Sequence, residues 1–290
     1  MKQISPLLIL LAAFSACSPI NQPVPTSTPL PPTASPTASP TFTPSPALTA
    51  TSTPLACLTG PGRVEEGSLT STNPPQDFRI YLPHCYDEKP DQRYPVLYLL
   101  HGQTYTDDQW IRLGAVTAAD QLILSGGSIP FIIVFPDDHY WNLPPGPTFG
   151  QRLVEQLVPY IDATYRTFPD RDHRAIGGMS RGAGWALRLG LTHWDLFGTI
   201  GLHSLAVFQE DASRVTDWLE IIPPSMRPRV FMDLGDNDPE LARARQVEAE
   251  FNEFGLSHEW HLYRGNHSEE YWSMHVQEYI EWYADGWNHP

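Results

Sequence analysis

The sequence predicts an α/β domain, a mostly parallel central sheet with helices on both faces, from three observations. Short apolar runs recur along the chain after residue 78: Arg79–Leu82, Pro95–Leu100, Phe131–Phe135, Ala175–Gly178, Thr199–Leu202, Arg229–Asp233 and Glu259–Tyr263. Segments of helical period separate most of them, around residues 108–124, 149–165, 181–192, 239–254 and 269–284. Most of the runs are apolar at successive positions, so both of their faces are suited to burial. That pattern belongs to strands covered on two sides. In such sheets ligands bind at the carboxyl ends of strands, so the loops after strands are where chemistry is expected.

Two segments precede this domain. Met1-Lys2 supplies a positive charge, the run from Ile4 to Phe14 is apolar apart from Ser5 and Pro6, and Ser15-Ala16-Cys17 follows. The run is too short for a stable bilayer span, so residues 1–16 read as a signal peptide. With its cysteine the segment resembles a bacterial lipoprotein signal. That resemblance implies that Cys17 is lipidated and becomes the first mature residue. It also implies a location in the cell envelope, anchored on the outer side of the cytoplasmic membrane or secreted. Residues 17–55 are dominated by Pro, Thr, Ser and Ala. Such a composition buries too little apolar surface to offset ordering entropy and favours extended conformations, as in a stalk. Residues 56–290 are read as one globular domain.

Charge and cysteine content narrow the function classes. The chain carries 33 acidic and 18 basic residues, a net charge of −15, which disfavours nucleic acid as a partner. Three cysteines are too few for a disulfide scaffold, so the core must be hydrophobic. With Cys17 lipidated, Cys57 and Cys85 remain to pair in an oxidising compartment.

One motif points to covalent catalysis. In Gly178-Met179-Ser180-Arg181-Gly182, the serine falls between the strand pattern of residues 175–179 and the helical pattern that starts at Arg181. A serine projecting from a tight strand-helix turn is the arrangement of a nucleophile elbow, and the glycines two residues either side allow the backbones to approach. The nucleophile needs a histidine base, and the histidine needs a carboxylate. His258 and His261 belong to a strand pattern, His275 to a helical one, and His289 to the terminus. His267 lies in Arg264-Gly265-Asn266-His267-Ser268, a loop leaving a strand for a helix, and is the expected base. The residues alone leave the acid open: Asp233 ends a strand pattern, while Asp236 and Asp238 follow it. Asp238 also precedes a proline suited to a first helical turn, so it doubles as a helix cap. Glu259 and His261 lack a third ligand at metal-site spacing.

Further segments carry a family resemblance. They are Tyr98-Leu99-Leu100-His101-Gly102 with Trp110, Tyr165-Arg166-Thr167, Arg174 to Gly182, Gly235 to Pro239 and Gly265-Asn266-His267. In this order the chain resembles the esterase family of α/β hydrolases, which holds esterase D (S-formylglutathione hydrolase), feruloyl esterases, enterochelin esterases and the mycolyltransferase antigens. The resemblance implies the α/β-hydrolase fold and a Ser180–His267–Asp238 triad, with Asp238 favoured over Asp236. It implies that the backbone amides of Gln103 and Arg181 form the oxyanion hole and that no metal or organic cofactor is needed. Ala183 departs from a glycine often found in this elbow.

The implied activity is that of a serine carboxylesterase working through an acyl-enzyme on a small-molecule or carbohydrate ester, such as feruloyl or acetyl esters. Acyl transfer and thioester hydrolysis are alternatives, as is a surface lipoprotein that binds a ligand without turning it over. Aromatic side chains after the strands are expected to line the pocket: Tyr105, Trp110, Tyr140, Trp141 and Trp272, with His203 beside them.

Overall fold

The computed structural model describes Cys57, residues 60–138 and residues 148–288. Cys17, Tyr140 and Trp141 lie outside the described residues.

Eight strands make one sheet: β1 (Arg63–Leu69), β2 (Gln76–Leu82), β3 (Val96–Leu100), β4 (Ile132–Pro136), β5 (Arg174–Met179), β6 (Thr199–His203), β7 (Arg229–Gly235) and β8 (His258–Tyr263). Their spatial order is β1-β2-β4-β3-β5-β6-β7-β8. β1 and β2 pair antiparallel, as do β2 and β4, and every pairing from β4 across to β8 is parallel. The helices are α1 (Gln109–Arg112), α2 (Ala115–Leu124), α3 (Phe149–Arg152), α4 (Val158–Thr164), α5 (Arg181–Thr192), α6 (Val215–Ile221), α7 (Leu241–Glu253) and α8 (Glu269–Asn288). This is the α/β-hydrolase fold that the sequence predicts.

Strand alternation builds a core on each face. Val96, Tyr98 and Leu100 of β3 point to one side, with Ile132 and Val134 of β4, against buried residues of α3 to α7. Leu97 and Leu99 point to the other, with Ile133 and Phe135, against α2 and α8. All five residues of β3 and all five of β4 are buried. At about 1.5–3 kcal/mol per fully buried large apolar side chain, these central strands anchor the sheet. β3 lies between β4 and β5, so the chain moves to one side after β3 and returns to the other for β5. That reversal opens a crevice beyond the carboxyl ends of β3 and β5, where residues 101–103 and Ser180 lie.

Four elements differ from expectation, each for a local reason. β1 is a solvent-exposed edge strand carrying Glu65 and Glu66, so it lacks an apolar run. α6 is only seven residues long, too short for a clear period. The helix expected over 149–165 contains a π-helical turn at Leu153–Leu157, directly before Pro159 at the start of α4. Proline has no N–H to continue the α-helical ladder there. The helix expected from residue 239 begins at Leu241.

Cys57 and Cys85 are joined in a disulfide, 28 residues apart in sequence. It closes a loop around β1 and β2. Chain-entropy arguments give such a loop about 3–4 kcal/mol. Replacing both cysteines by serine is expected to lower the melting temperature by roughly 10 °C for a domain of this size. Calorimetry checks this, and an unchanged melting temperature would show that the bond adds no stability.

Candidate active site

Ser180 occupies the turn between β5 and α5 with φ 54° and ψ −120°, a conformation that costs an L-residue of order 1–3 kcal/mol. The surroundings over-determine it. Its N–H donates to the His203 carbonyl at 2.9 Å. A Cβ on Gly178 would lie 2.3 Å from the Gly182 backbone, and one on Gly182 would lie 2.2 Å from the Leu100 carbonyl oxygen. Only glycines let β5, the elbow and the end of β3 approach this closely.

The loop after β8 brings His267 to Ser180, with Nε2 2.7 Å from the serine Oγ. Its Nδ1 lies 2.9 and 3.0 Å from the two Asp238 carboxylate oxygens. A carboxylate only accepts, so Nδ1–H donates to Asp238 and the bare Nε2 accepts the Ser180 O–H. The loops of Asp238 and His267 are joined as well: Asn237 N–H donates to the Gly265 carbonyl at 3.0 Å, and Gly265 N–H donates to Asp236 at 3.1 Å. Asp236 therefore ties the loops together, whereas Asp238 meets the histidine.

Asp238 is buried. Burial opposes its ionisation. The hydrogen bond from His267, the Glu240 N–H at 2.9 Å, the charge of His267 and the Ser204 hydroxyl outweigh it and hold the carboxyl below its ordinary value. Ser204 is oriented for this. The indole N–H of Trp272 donates to its Oγ at 3.0 Å; an indole can only donate, so the serine proton is left for the carboxylate.

The loop His101-Gly102-Gln103 lies against Ser180: a Cβ on Gly102 would come 3.7 Å from the Ser180 Cβ. Gln103 is exposed there. Arg181 opens α5, whose first N–H groups point past the helix end. Its guanidinium donates from Nε to Asp138 at 2.9 Å, and Trp185 donates its indole N–H to the same oxygen at 2.9 Å. Burial pushes the Asp138 carboxyl up, against the pull of Arg181, Trp185 and His101.

Three residues expected to line the pocket lie in the interior. Trp110 is 1% exposed and donates its indole N–H to the Leu100 carbonyl. His203 is fully buried beneath the sheet edge, with Nδ1 2.7 Å from Asp233. That carboxylate also accepts the hydroxyls of Tyr271 and Tyr279. The pair is the floor of the elbow, and neither side chain is exposed. Trp272 is buried too and packs edge-on to His267, with ring centroids 5.1 Å apart, so it backs the base instead of facing a ligand. Tyr105 is exposed beside Gly102. Sequence reasoning missed Gln109 and Glu269 near the site and Asp138 behind Arg181. The one hint was a polar Gln109 directly before a buried tryptophan.

The chain resembles known proteins in sequence and in fold. The family model for esterases matches residues 70–282. The chain belongs to the Esterase family. Among curated members of the wider group, an endo-1,4-β-xylanase/feruloyl esterase of Xylanibacter ruminicola is 30% identical over 190 residues, covering 62% of this chain and 25% of that protein. An esterase of Mycobacterium tuberculosis is 33% identical over 151 residues, covering 49% of this chain and 32% of that one. The chain thus spans about a quarter to a third of the length of these relatives. A solved ferulic acid esterase superposes with a TM-score of 0.70 at 25% identity, covering 78% of this chain and all of the other. An S-formylglutathione hydrolase of Staphylococcus aureus, at a TM-score of 0.62 and 15% identity over 77% of this chain and 97% of the other, shares the fold.

Two substitutions test whether Asp238 acts as the acid of this site. Asp238→Asn is expected to lower kcat about 10³- to 10⁴-fold, the scale on which triad acids act. Because the folded carboxyl titrates below its unfolded value, its stabilisation is full above about pH 4 and is lost as the pH falls through the folded pKa. The variant should lose that part of the acid dependence in denaturant titrations. Ser204→Ala removes a hydroxyl that helps hold the Asp238 carboxyl low and takes the acceptor of the Trp272 N–H, and should lower kcat/KM about three- to tenfold; steady-state rates at saturating and limiting ester check it.

Proposed function

We propose that the protein is a serine carboxylesterase that cleaves esters of carbohydrates, feruloyl esters foremost. The observation that carries this reading is the 2.7 Å approach of His267 Nε2 to Ser180 Oγ, with Nδ1 held by the buried Asp238. Membership of the Esterase family supports the reaction class. The named activities of the Xylanibacter relative and of the superposed ferulic acid esterase support the substrate class.

In the proposed reaction Ser180 Oγ bonds to the ester carbonyl carbon as His267 Nε2 takes the serine proton. The carbonyl electron pair moves to oxygen, which the Gln103 and Arg181 amides stabilise; losing one such donor typically costs about 3 kcal/mol. The tetrahedral intermediate collapses, and the alcohol leaves with the proton from His267. Water gives a proton to His267 as its oxygen bonds to the acyl carbon; the second intermediate then collapses, the bond to Ser180 Oγ breaks, and His267 returns the proton to that oxygen as the acid leaves. Asp238 keeps the imidazole in its Nδ1–H form and stabilises its charge throughout.

Tyr105 is proposed as a wall of the ester site. The sequence also supports a lipid anchor at Cys17 followed by a stalk over residues 17–55, and [3H]palmitate labelling lost in Cys17→Ala would test it.

A panel of p-nitrophenyl acetate, methyl ferulate, acetylated xylose and S-formylglutathione tests the activity. Methyl ferulate is expected to have the highest kcat/KM, and Ser180→Ala should abolish both turnover and fluorophosphonate labelling. Equal rates for wild type and Ser180→Ala would overturn the esterase reading. Preference for S-formylglutathione would overturn the carbohydrate-ester assignment alone.

A further inference from the structure

Beside the triad, a buried amide joins two loops that the reaction needs aligned. Gln109, the first residue of α1, is fully buried. Its Oε1 accepts the Gly102 N–H at 2.8 Å, and its Nε2 donates to Glu269 Oε1 at 3.1 Å. The amide orientation is unambiguous, because a backbone N–H only donates and a carboxylate only accepts. Glu269 opens α8, two residues after His267, and is also met by Arg112 Nη2 at 3.1 Å.

The carbonyl of Gly102 is fixed from the other side. Asp138 N–H donates to His101 Nε2 at 2.8 Å, so the neutral ring carries its proton on Nδ1, which donates to the Gly102 carbonyl at 2.7 Å. Tyr105 N–H donates to the same oxygen at 3.3 Å. A trans peptide is planar and its C=O and N–H point in opposite directions. Holding the Gly102 carbonyl therefore aims the Gln103 N–H, and Gln109 holds the preceding peptide at the Gly102 nitrogen.

We propose that Gln109 is a positioning residue that sets the oxyanion-binding peptide of residues 102–103 in register with the His267 loop through Glu269. The inference rests on the esterase reading above. It gives this buried amide a purpose that packing alone leaves unexplained: one side chain spans two loops far apart in sequence, one carrying the amide for the carbonyl oxygen and the other the base for Ser180.

A donor-acceptor exchange tests it. Gln109→Glu keeps an acceptor for the Gly102 N–H but opposes two carboxylates. Gln109→Glu combined with Glu269→Gln rebuilds the bridge with the roles reversed. With the best ester of the panel, Gln109→Glu is expected to lower kcat about ten- to a hundredfold, part of what loss of a whole oxyanion donor causes, with KM within about threefold. The inhibition constant of phenylboronic acid, whose tetrahedral adduct places an anionic oxygen in the same hole, should rise by a similar factor. The double variant should return to within about threefold of wild type in both, the residual left by an imperfect bridge. Wild-type values in Gln109→Glu, or a double variant no better than the single, would overturn the inference. Should Gln109→Glu fail to fold, Glu269→Ala on the solvent side of the bridge takes its place: a fall in kcat supports the inference and an unchanged kcat overturns it. Activity in wild type that vanishes in Ser180→Ala keeps the esterase reading standing through either result.

Discussion

Ser180 holds a backbone conformation that L-residues avoid, and the carboxyl edge of the sheet is arranged around keeping it there. The His203 carbonyl takes its N–H, and Gly178 and Gly182 lack the Cβ atoms that would push α5 away from β5 and from the end of β3. The strain has a geometric return: it lifts the hydroxyl out of the sheet, to where a loop from β8 can meet it. Without a rigid parallel sheet beneath, the same φ would relax within a residue or two.

The floor of the elbow is polar yet sealed. His203, Asp233, Tyr271, Tyr279 and Tyr283 form a closed network in which the Asp233 carboxylate accepts three bonds and His203 Nε2 lies 3.0 Å from the Tyr283 hydroxyl. Buried polar groups satisfied this fully rigidify a core, whereas a partly satisfied set would destabilise it. The network fastens β6 and β7 to α8, and through the His203 carbonyl it reaches the Ser180 N–H. Of the Asp–His pairs among the described residues, two thus bear on the elbow. Exposure separates them: the pair near Ser180 meets the crevice, and the pair beneath it meets only aromatic rings.

Much of this was legible in sequence because the strongest constraints are local. Apolar runs at successive positions reported the central strands, since burial on both faces leaves no alternation. The spacing of two glycines around Ser180 reported the elbow. His267 stood out because the other late histidines fall within strand or helix patterns or at the terminus. The rest was hidden for equally physical reasons. β1 is an exposed edge with adjacent glutamates, so burial leaves no trace in it. His203 ends β6, and Trp110 and Trp272 lie in the first turns of α1 and α8, yet their rings turn inward, and side-chain direction is set by packing that a linear reading does not contain. The Gln109–Glu269 contact joins residues 160 positions apart, beyond the reach of any motif.

The disulfide near the start of the domain also has a mechanical meaning. Tension applied through residues before Cys57 would otherwise act on β1, an edge strand held by a single neighbour and therefore open to peeling one hydrogen bond at a time. The covalent link to Cys85 diverts that load past β1 and β2 to the chain beyond them, close to the buried strand β3. A pull that would unzip an edge becomes one that must shear the middle of the sheet.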